Sequence, residues 1–230
     1  MRVFLLLMVA LIYCTGLFGQ KNTVVTVKAG SNIMDVLSAA DVFYYPDFTN
    51  GKVCLREGTQ TGAKLNYNRL FDEMQFVGPK GDTLAVADEK NIKYIVIAND
   101  TFYYDKGYVR LISGGSLVKL VMKQVWMVAE ARQIGAYNST NNSVSVTSFT
   151  SYNEGGRLYD LTVNEDIVLK KVEAYYFGDN YNHYVLAGKK NLLLLFPKDQ
   201  ERIEMYLKEN KIKFTNKDDL DKIVHFLEHL

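Results

Sequence analysis

From Gly51 onward short apolar runs alternate with turn-forming pieces at a spacing of about ten residues, and that rhythm admits few architectures. The runs are 52–56, 64–67, 73–77, 83–87, 92–97 and 101–104. Between them stand Glu57-Gly58-Thr59, Gly78-Pro79-Lys80-Gly81-Asp82 and Ala98-Asn99-Asp100. Runs this short, joined by turns this tight, pair with their neighbours in an antiparallel meander, because parallel pairing needs a crossover of a dozen residues or more. Asn99-Asp100 is the expected two-residue hairpin turn. The run 108–112 extends the sheet. Residues 117–128 carry Val118, Val121, Val125 and Val128, and their β-branched side chains favour a strand there too.

Helical spacing occurs at both ends of this region. Ile33, Val36, Leu37 and Ala40 give a short helical pattern over 32–42, after a strand over 23–28. Residues 137–156 hold Asn138-Ser139-Thr140-Asn141-Asn142-Ser143 and further Ser and Thr, which bury little; they read as a polar loop or linker. Runs over 157–161, 167–172, 173–177 and 183–186 return to strand character, and 191–196 is a dense apolar run before Pro197. Two amphipathic helices follow. Residues 199–209 place Ile203, Tyr206 and Leu207 on one face; after a strand-like link at 212–214, Thr215 and Asp218 form a capping-box pattern before Leu220, Ile223, Val224 and Leu227. The chain therefore divides into 1–19, a β-rich region 20–136, the polar loop 137–156, further strands 157–196 and a helical hairpin 197–230. The expected class is α+β, mainly β: an antiparallel meander, flat or curved into a half-barrel, with helices packed on it.

The first nineteen residues read as a secretory signal peptide. Arg2 precedes an apolar run from Val3 to Tyr13, too short for the ~20 residues of a membrane span. Gly19 supplies the small residue before a cut, and Gln20 then starts the mature chain. Acylation at Cys14 is the competing reading, opposed by the bulky Tyr13 where lipoprotein signals want a small residue. Without Arg2 the basic residues fall from 27 to 26, matching the 26 acidic ones. A neutral chain with no dense basic run is a poor partner for nucleic acid. Cys54 is then the one remaining cysteine, flanked by Val53 and Leu55, so no internal disulfide supports the fold and a buried thiol is expected.

Tyr45-Pro46-Asp47-Phe48 leading to Gly51-Lys52-Val53, then Leu65-Asn66-Tyr67-Asn68 and Asp72-Glu73-Met74-Gln75-Phe76, resembles a family of uncharacterised exported proteins, bearing signal peptides, from Bacteroidetes-type bacteria. So do Leu194-Leu195-Phe196-Pro197, 206–212 and Asp219-Leu220. The resemblance implies a Gram-negative envelope location, the periplasm or the periphery of the outer membrane. It transfers no catalytic residue. Asp82-Thr83-Leu84 also resembles the acceptor pattern for O-glycosylation in such bacteria, with Thr83 as the modified residue.

Chemistry-bearing patterns are few. His225-Phe226-Leu227-Glu228-His229 matches the H-x-x-E-H zinc-peptidase pattern, but two histidines near a helix C-terminus also suit the dipole there with no metal present. Asp179-Asn180-Tyr181-Asn182-His183 could hold a cation or a catalytic His–Asp pair, yet it lacks the oxygen-ligand spacing of a calcium loop and no G-x-S-x-G elbow accompanies it. Asp72-Glu73 and Glu165-Asp166 are adjacent acids, which a strand sends to opposite faces. The histidine pair lacks the third protein ligand that zinc catalysis needs, and no glycine loop for phosphate is present, so neither a metal nor a cofactor is expected. The tyrosine doublets Tyr44-Tyr45, Tyr103-Tyr104 and Tyr175-Tyr176 are the candidate ligand-binding residues, since tyrosine offers a flat apolar face with a polar tip; alternation in a strand would instead put one ring on each face. The expected role is non-catalytic binding or structure in the envelope, toward a protein partner or a hydrophobic or glycan ligand. The alternatives are a lipid or lipoprotein carrier with an apolar β-lined cavity and, third, an envelope hydrolase using His183. Oligomeric state is open at this point.

Overall fold

The computed structural model describes residues 24–115, 117–134, 140–143, 147–148 and 161–230. In chain order the elements are β1 (Val24–Val27), α1 (Ile33–Val36), α2 (Ala39–Val42), β2 (Thr49–Leu55), β3 (Gln60–Asn68), β4 (Glu73–Val77), β5 (Thr83–Ala85), β6 (Ile92–Ile97), β7 (Asp100–Tyr104), β8 (Tyr108–Gly114), β9 (Lys119–Ile134), β10 (Thr140–Ser143), β11 (Thr147–Ser148), β12 (Asp166–Gly178), β13 (Tyr184–Leu186), α3 (Lys189–Leu195), α4 (Gln200–Glu209) and α5 (Lys217–Leu227). Among these residues thirteen strands make one open antiparallel sheet, ordered β1-β12-β9-β8-β7-β6-β2-β3-β4-β5. Strands β10 and β11 add to β9, and β13 adds to β12. The expected α+β class and the meander are what forms. No helix among the described residues is long and apolar enough to cross a membrane.

The sheet is rolled. In the strand order β3 lies five positions from β9, roughly 24 Å away in a flat sheet. Yet the Trp126 amide of β9 donates to the Arg69 carbonyl just past β3, at 2.9 Å. Leu65 and Tyr67 of β3 share one buried cluster with Ile95 and Ile97 of β6, Phe102 of β7, Tyr108 of β8 and Val125 of β9. Strands so far apart can meet side chain to side chain only if the sheet curls round them, which is the half-barrel form of the expectation. The reason lies in strand length. β9 outruns β8, whose pairing with it reaches only Met122, so the β9 edge beyond that point needs another partner. Arg69 takes up part of it, and β11 and β10 take up Met127, Val128 and Ala131–Ile134.

Arg69 also fixes the closure with its side chain. It is 6 % exposed, and its guanidinium donates to the carbonyls of Ala40 and Phe43 and to Gln124 Oε1, the last at 3.0 Å. Its amide donates to Val42 O at 2.8 Å, and the Trp126 indole donates to Asp41 O at 3.0 Å. The helical turn α2 is thereby bound to both lips of the roll. Asp72 makes a second fastening. Its carboxylate accepts the Tyr67 hydroxyl at 2.7 Å and the Tyr108 amide at 3.0 Å, and pairs with Lys123 Nζ at 2.7 Å. Gly107 permits this approach: at φ +110°, a Cβ there would stand 1.9 Å from Asp72 Oδ2.

The other two cores lie on either end of the long β9–β12 pair. Val27, α1, α2, Trp126, Val128, Ile167 and Leu169 form one, and Val118, Leu120 and Phe177 carry the C-terminal helices in the other. Leu220, Ile223, Val224 and Leu227 all face that core, and Tyr206 of α4 stacks on Phe226 of α5 with ring centroids 4.0 Å apart. The helical tail thus packs on the β core of its own chain, as its amphipathic pattern anticipates.

Several local expectations are corrected. The helical pattern over 32–42 forms two separate turns, because Ser38 starts a new capping box with Asp41. Residues 191–196 lie in a helix and its cap rather than a strand: Lys189–Leu195 contains four leucines and no β-branched residue, a helix-forming composition. The cap of α5 is Asn216, whose Oδ1 accepts from the Asp218 and Asp219 amides, not Thr215. The link at 212–214 is not a strand. Ile97 pairs with Asp100, so the hairpin turn is Ala98-Asn99 with Ala98 at φ +51°, one residue earlier than expected. Within 137–156, Thr140–Ser143 and Thr147–Ser148 are strands on β9 where a loop or linker is expected. The remainder of that stretch, 157–160 and the signal region with Gly19 and Gln20 fall outside the described residues.

Arg69→Met removes the donors that hold the Ala40 and Phe43 carbonyls and Gln124. It is expected to lower unfolding stability by about 2–3 kcal/mol, seen as a lower urea midpoint at unchanged slope. An unchanged midpoint would place the closure elsewhere.

Candidate functional site

The tyrosine doublets do not converge on one site. Tyr45 donates its hydroxyl to Asp100 Oδ2 at 2.6 Å, and Arg110 Nη1 holds the other oxygen of that carboxylate at 3.0 Å. The Arg110 guanidinium lies 5.4 Å above the Tyr44 ring. Burial raises both phenols above their ordinary value, for Tyr45 with help from the Asp100 bond and for Tyr44 against the opposing Arg110 charge. Tyr104 packs on the same core, 5.2 Å from Tyr108; burial, with Glu89 facing its hydroxyl, pushes it up to about 12. Tyr103 points to the opposite face of β7, 6.3 Å from Tyr184 and beneath the Lys119 ammonium at 5.4 Å. Tyr175 joins the C-terminal helical core, while Tyr176 occupies the other face of β12. One ring per face is the outcome in each strand doublet. These phenols are spent on internal bonds and packing.

The other candidate motifs have local duties as well. Glu228 accepts the amides of Leu117 and Val118 at 3.1 and 3.0 Å, so it fastens α5 to the β8–β9 hairpin instead of facing between the histidines. The His225 and His229 rings lie tilted at 51° to each other with centroids 4.4 Å apart, and His229 Nδ1 lies 2.7 Å from the His225 carbonyl. A recess of about 340 Å³ beside them is walled by Ser113, Gly115, Asp221 and Glu228. Among the described residues no three His, Cys, Asp or Glu side chains converge to hold a metal. Thr83 is exposed on the edge strand β5, and Cys54 is a buried free thiol.

His183 is paired with Asp179, Nδ1 to Oδ2 at 2.9 Å, but its side chain is 76 % exposed. Asp179 also accepts the amides of Tyr181 and His183 at 2.8 and 2.9 Å. Partial burial pushes the Asp179 carboxyl up, and the His183 and Tyr181 hydrogen bonds outweigh it, holding the carboxyl below its ordinary value. The geometry is that of a loop tied across its own carboxylate. Water has free access to the imidazole.

What the roll leaves open is an apolar pocket of about 460 Å³ on its inner face. Its floor is Val53 of β2, Ala63 and Leu65 of β3 and Phe76 of β4; Val86 walls one side and the Gly78-Pro79 turn another. The pocket opens over Ala63, a small residue on the inner face. Gly51 and Ala63 are directly paired on the inner face. Leu65 and Ile97 lean over Gly51, where an added Cβ would come within 2.9 Å of Leu65 Cδ1 and 2.6 Å of Val96 O. At Ala63 the inner face carries only a methyl group. The chain after β5 supplies the cover: Val86 donates its amide to Met74 O at 2.8 Å, then the backbone crosses back to β6, where Arg56 N binds Asn91 O at 2.8 Å. Leu84, opposite Phe76 in the register, stays 42 % exposed beside the rim. None of the six candidate tyrosines lines this pocket. The signal that could have located it was a glycine and an alanine in strand runs at positions the alternation assigns to the core.

No protein-family model, curated protein or solved structure matches the chain.

The Asp179 loop carries a pH signature. A carboxyl held below its ordinary value stabilises the fold fully above the unfolded value, about 3.9, and that contribution is lost as pH falls through the folded value. Asp179→Asn should therefore lower the melting temperature at neutral pH, with the gap to wild type closing below about pH 3.9. A gap independent of pH would contradict this.

Proposed function

We propose that the chain is an exported binding protein of the cell envelope, and that the apolar pocket in the mouth of its half-barrel is the ligand site. The observation that carries the reading is the pocket itself. Its volume sits inside the range of about 300–1,000 Å³ typical of small-molecule sites, and its floor is a continuous apolar surface contributed by three neighbouring strands. Val53, Ala63, Phe76 and Val86 are only half-buried there. Apolar surface left accessible on the inner face of a curled sheet is stabilised by whatever covers it, at about 25 cal/mol per Å². Strands held by backbone ladders and by the Arg69 and Asp72 fastenings make the site preformed, so little ordering opposes binding.

Export rests on the sequence. A basic residue, a short apolar core and Gly19 before Gln20 favour cleavage and release into the envelope. A binding role rather than catalysis is favoured because His183, the one histidine paired with a carboxylate among the described residues, sits in open solvent on a loop and Asp179 serves that loop's own amides.

Two measurements test the reading. Ala63→Trp fills the pocket from its floor, where the inner face is otherwise open, and should abolish the fluorescence gain of a solvatochromic naphthalene probe while leaving the melting temperature within a few degrees of wild type. Undiminished probe binding by the folded variant would remove the pocket from consideration. Intact mass of protein fractionated from its native envelope should correspond to a chain beginning at Gln20; an acylated chain beginning at Cys14 would replace the released form with a tethered one.

A further inference from the structure

We infer that the pocket takes a single hydrocarbon chain, end first, and leaves the ligand's polar head at the turn Gly78–Asp82; this rests on the pocket being a ligand site. Three observations converge on that ligand class.

The first is the distribution of polarity. The floor and the Val86 wall are aliphatic or aromatic, while the polar lining side chain is Thr61, exposed near the rim. The turn that walls the mouth carries Lys80 and Asp82, both exposed. A site graded from apolar floor to charged rim matches an amphiphile lying along the gradient. A compact polar ligand, or a glycan whose hydroxyls point in all directions, would lose hydrogen bonds on entering.

The second is the state of the backbone. Strand ladders commit the floor: Val53 pairs with Thr61, Gly51 with Ala63, and Leu65 with both Thr49 and Phe76. The mouth turn is committed too, since the Gly78 amide binds Asp82 O at 2.8 Å and the Gly81 amide binds Gly78 O at 3.0 Å. A peptide strand lying in the pocket would need main-chain partners, and the floor has spent its own on these ladders. A hydrocarbon needs none.

The third is size and opening. About 460 Å³ suits one chain rather than the paired tails of a phospholipid. The exposed Leu84 beside the rim extends the apolar track outward, so a chain longer than the pocket still covers protein surface as it leaves. The charges at the rim are of both signs, Lys80 and Asp82, so the head is held loosely and its charge matters less than the length of the tail.

The experiment is isothermal titration of the purified protein with a homologous series of straight-chain alcohols and the matching carboxylates. Burial of each methylene should tighten binding about fourfold, until the chain fills the pocket, after which affinity levels off. Alcohol and carboxylate of equal length should agree within a few-fold. Ala63→Trp should abolish binding or move the plateau to shorter chains. If the naphthalene probe binds and the series shows no dependence on length, the ligand is compact and the inference falls while the pocket reading stands. Displacement of the probe by an apolar hexapeptide but by no alcohol overturns it in favour of a peptide. If neither probe nor series binds to folded protein, the pocket reading and the inference fall together.

Discussion

The molecule depends on one buried cation. Arg69 sits where two distant strands of a single sheet come back into contact, and its guanidinium fills the gap with donors aimed at carbonyls that no ladder can serve. Burial lowers its proton affinity, and nearby Asp41 acts in the other direction. A lysine would supply one point of charge; the planar fork reaches α2 and β9 at once. Everything on the inner face follows from that closure. The Tyr67, Phe102 and Tyr108 rings can share a core only because β3 has been brought round to β9.

Much of the β architecture was legible because it is written locally. The alternating runs and the turns between them lie within hairpin range of each other, and period-2 patterning survives where one face is buried. The class, the meander, the strand character of 117–128 and the four apolar positions of α5 could be read this way. What could not be read depends on residues far apart in sequence. Nothing near Arg69 announces that its partners are Ala40, Phe43 and Gln124. The helix at Lys189–Leu195 escaped because a dense leucine run fits either a buried strand or a helix, and only the lack of β-branching separated them. The hairpin turn moved by a residue because Asp100 is more useful in the ladder, where its carboxylate holds both Tyr45 and Arg110, than at the turn.

The pocket and the tyrosines teach opposite halves of one lesson. Aromatic doublets catch the eye as binding surfaces, but here the Tyr45 phenol is bonded to Asp100 and the rings of Tyr44 and Tyr104 pack into the core beside Tyr67, whose hydroxyl is held by Asp72. That packing gives the roll its shape. The open volume lies instead over a residue with little side chain, Ala63, beside Gly51, over which Leu65 and Ile97 lean. A concave site in a β-sheet is defined by missing bulk, and missing bulk is quiet in a sequence.

The two outer fastenings of the fold tie together parts of the chain that are made far apart in time. β1 runs along β12, with Lys28 reaching Asp166 across 138 residues, and Glu228 near the end of the chain grips the hairpin at Leu117 from 111 residues away. Such contacts give high contact order, and loops of that length must close before they return any stabilisation. The N-terminal strand has no place to dock until β12 has emerged, and the β8–β9 hairpin is clasped only after the last helix is complete. During synthesis, then, the chain stays loosely organised at both ends almost until the final turn appears. The two ends are therefore the last parts of the fold to lock.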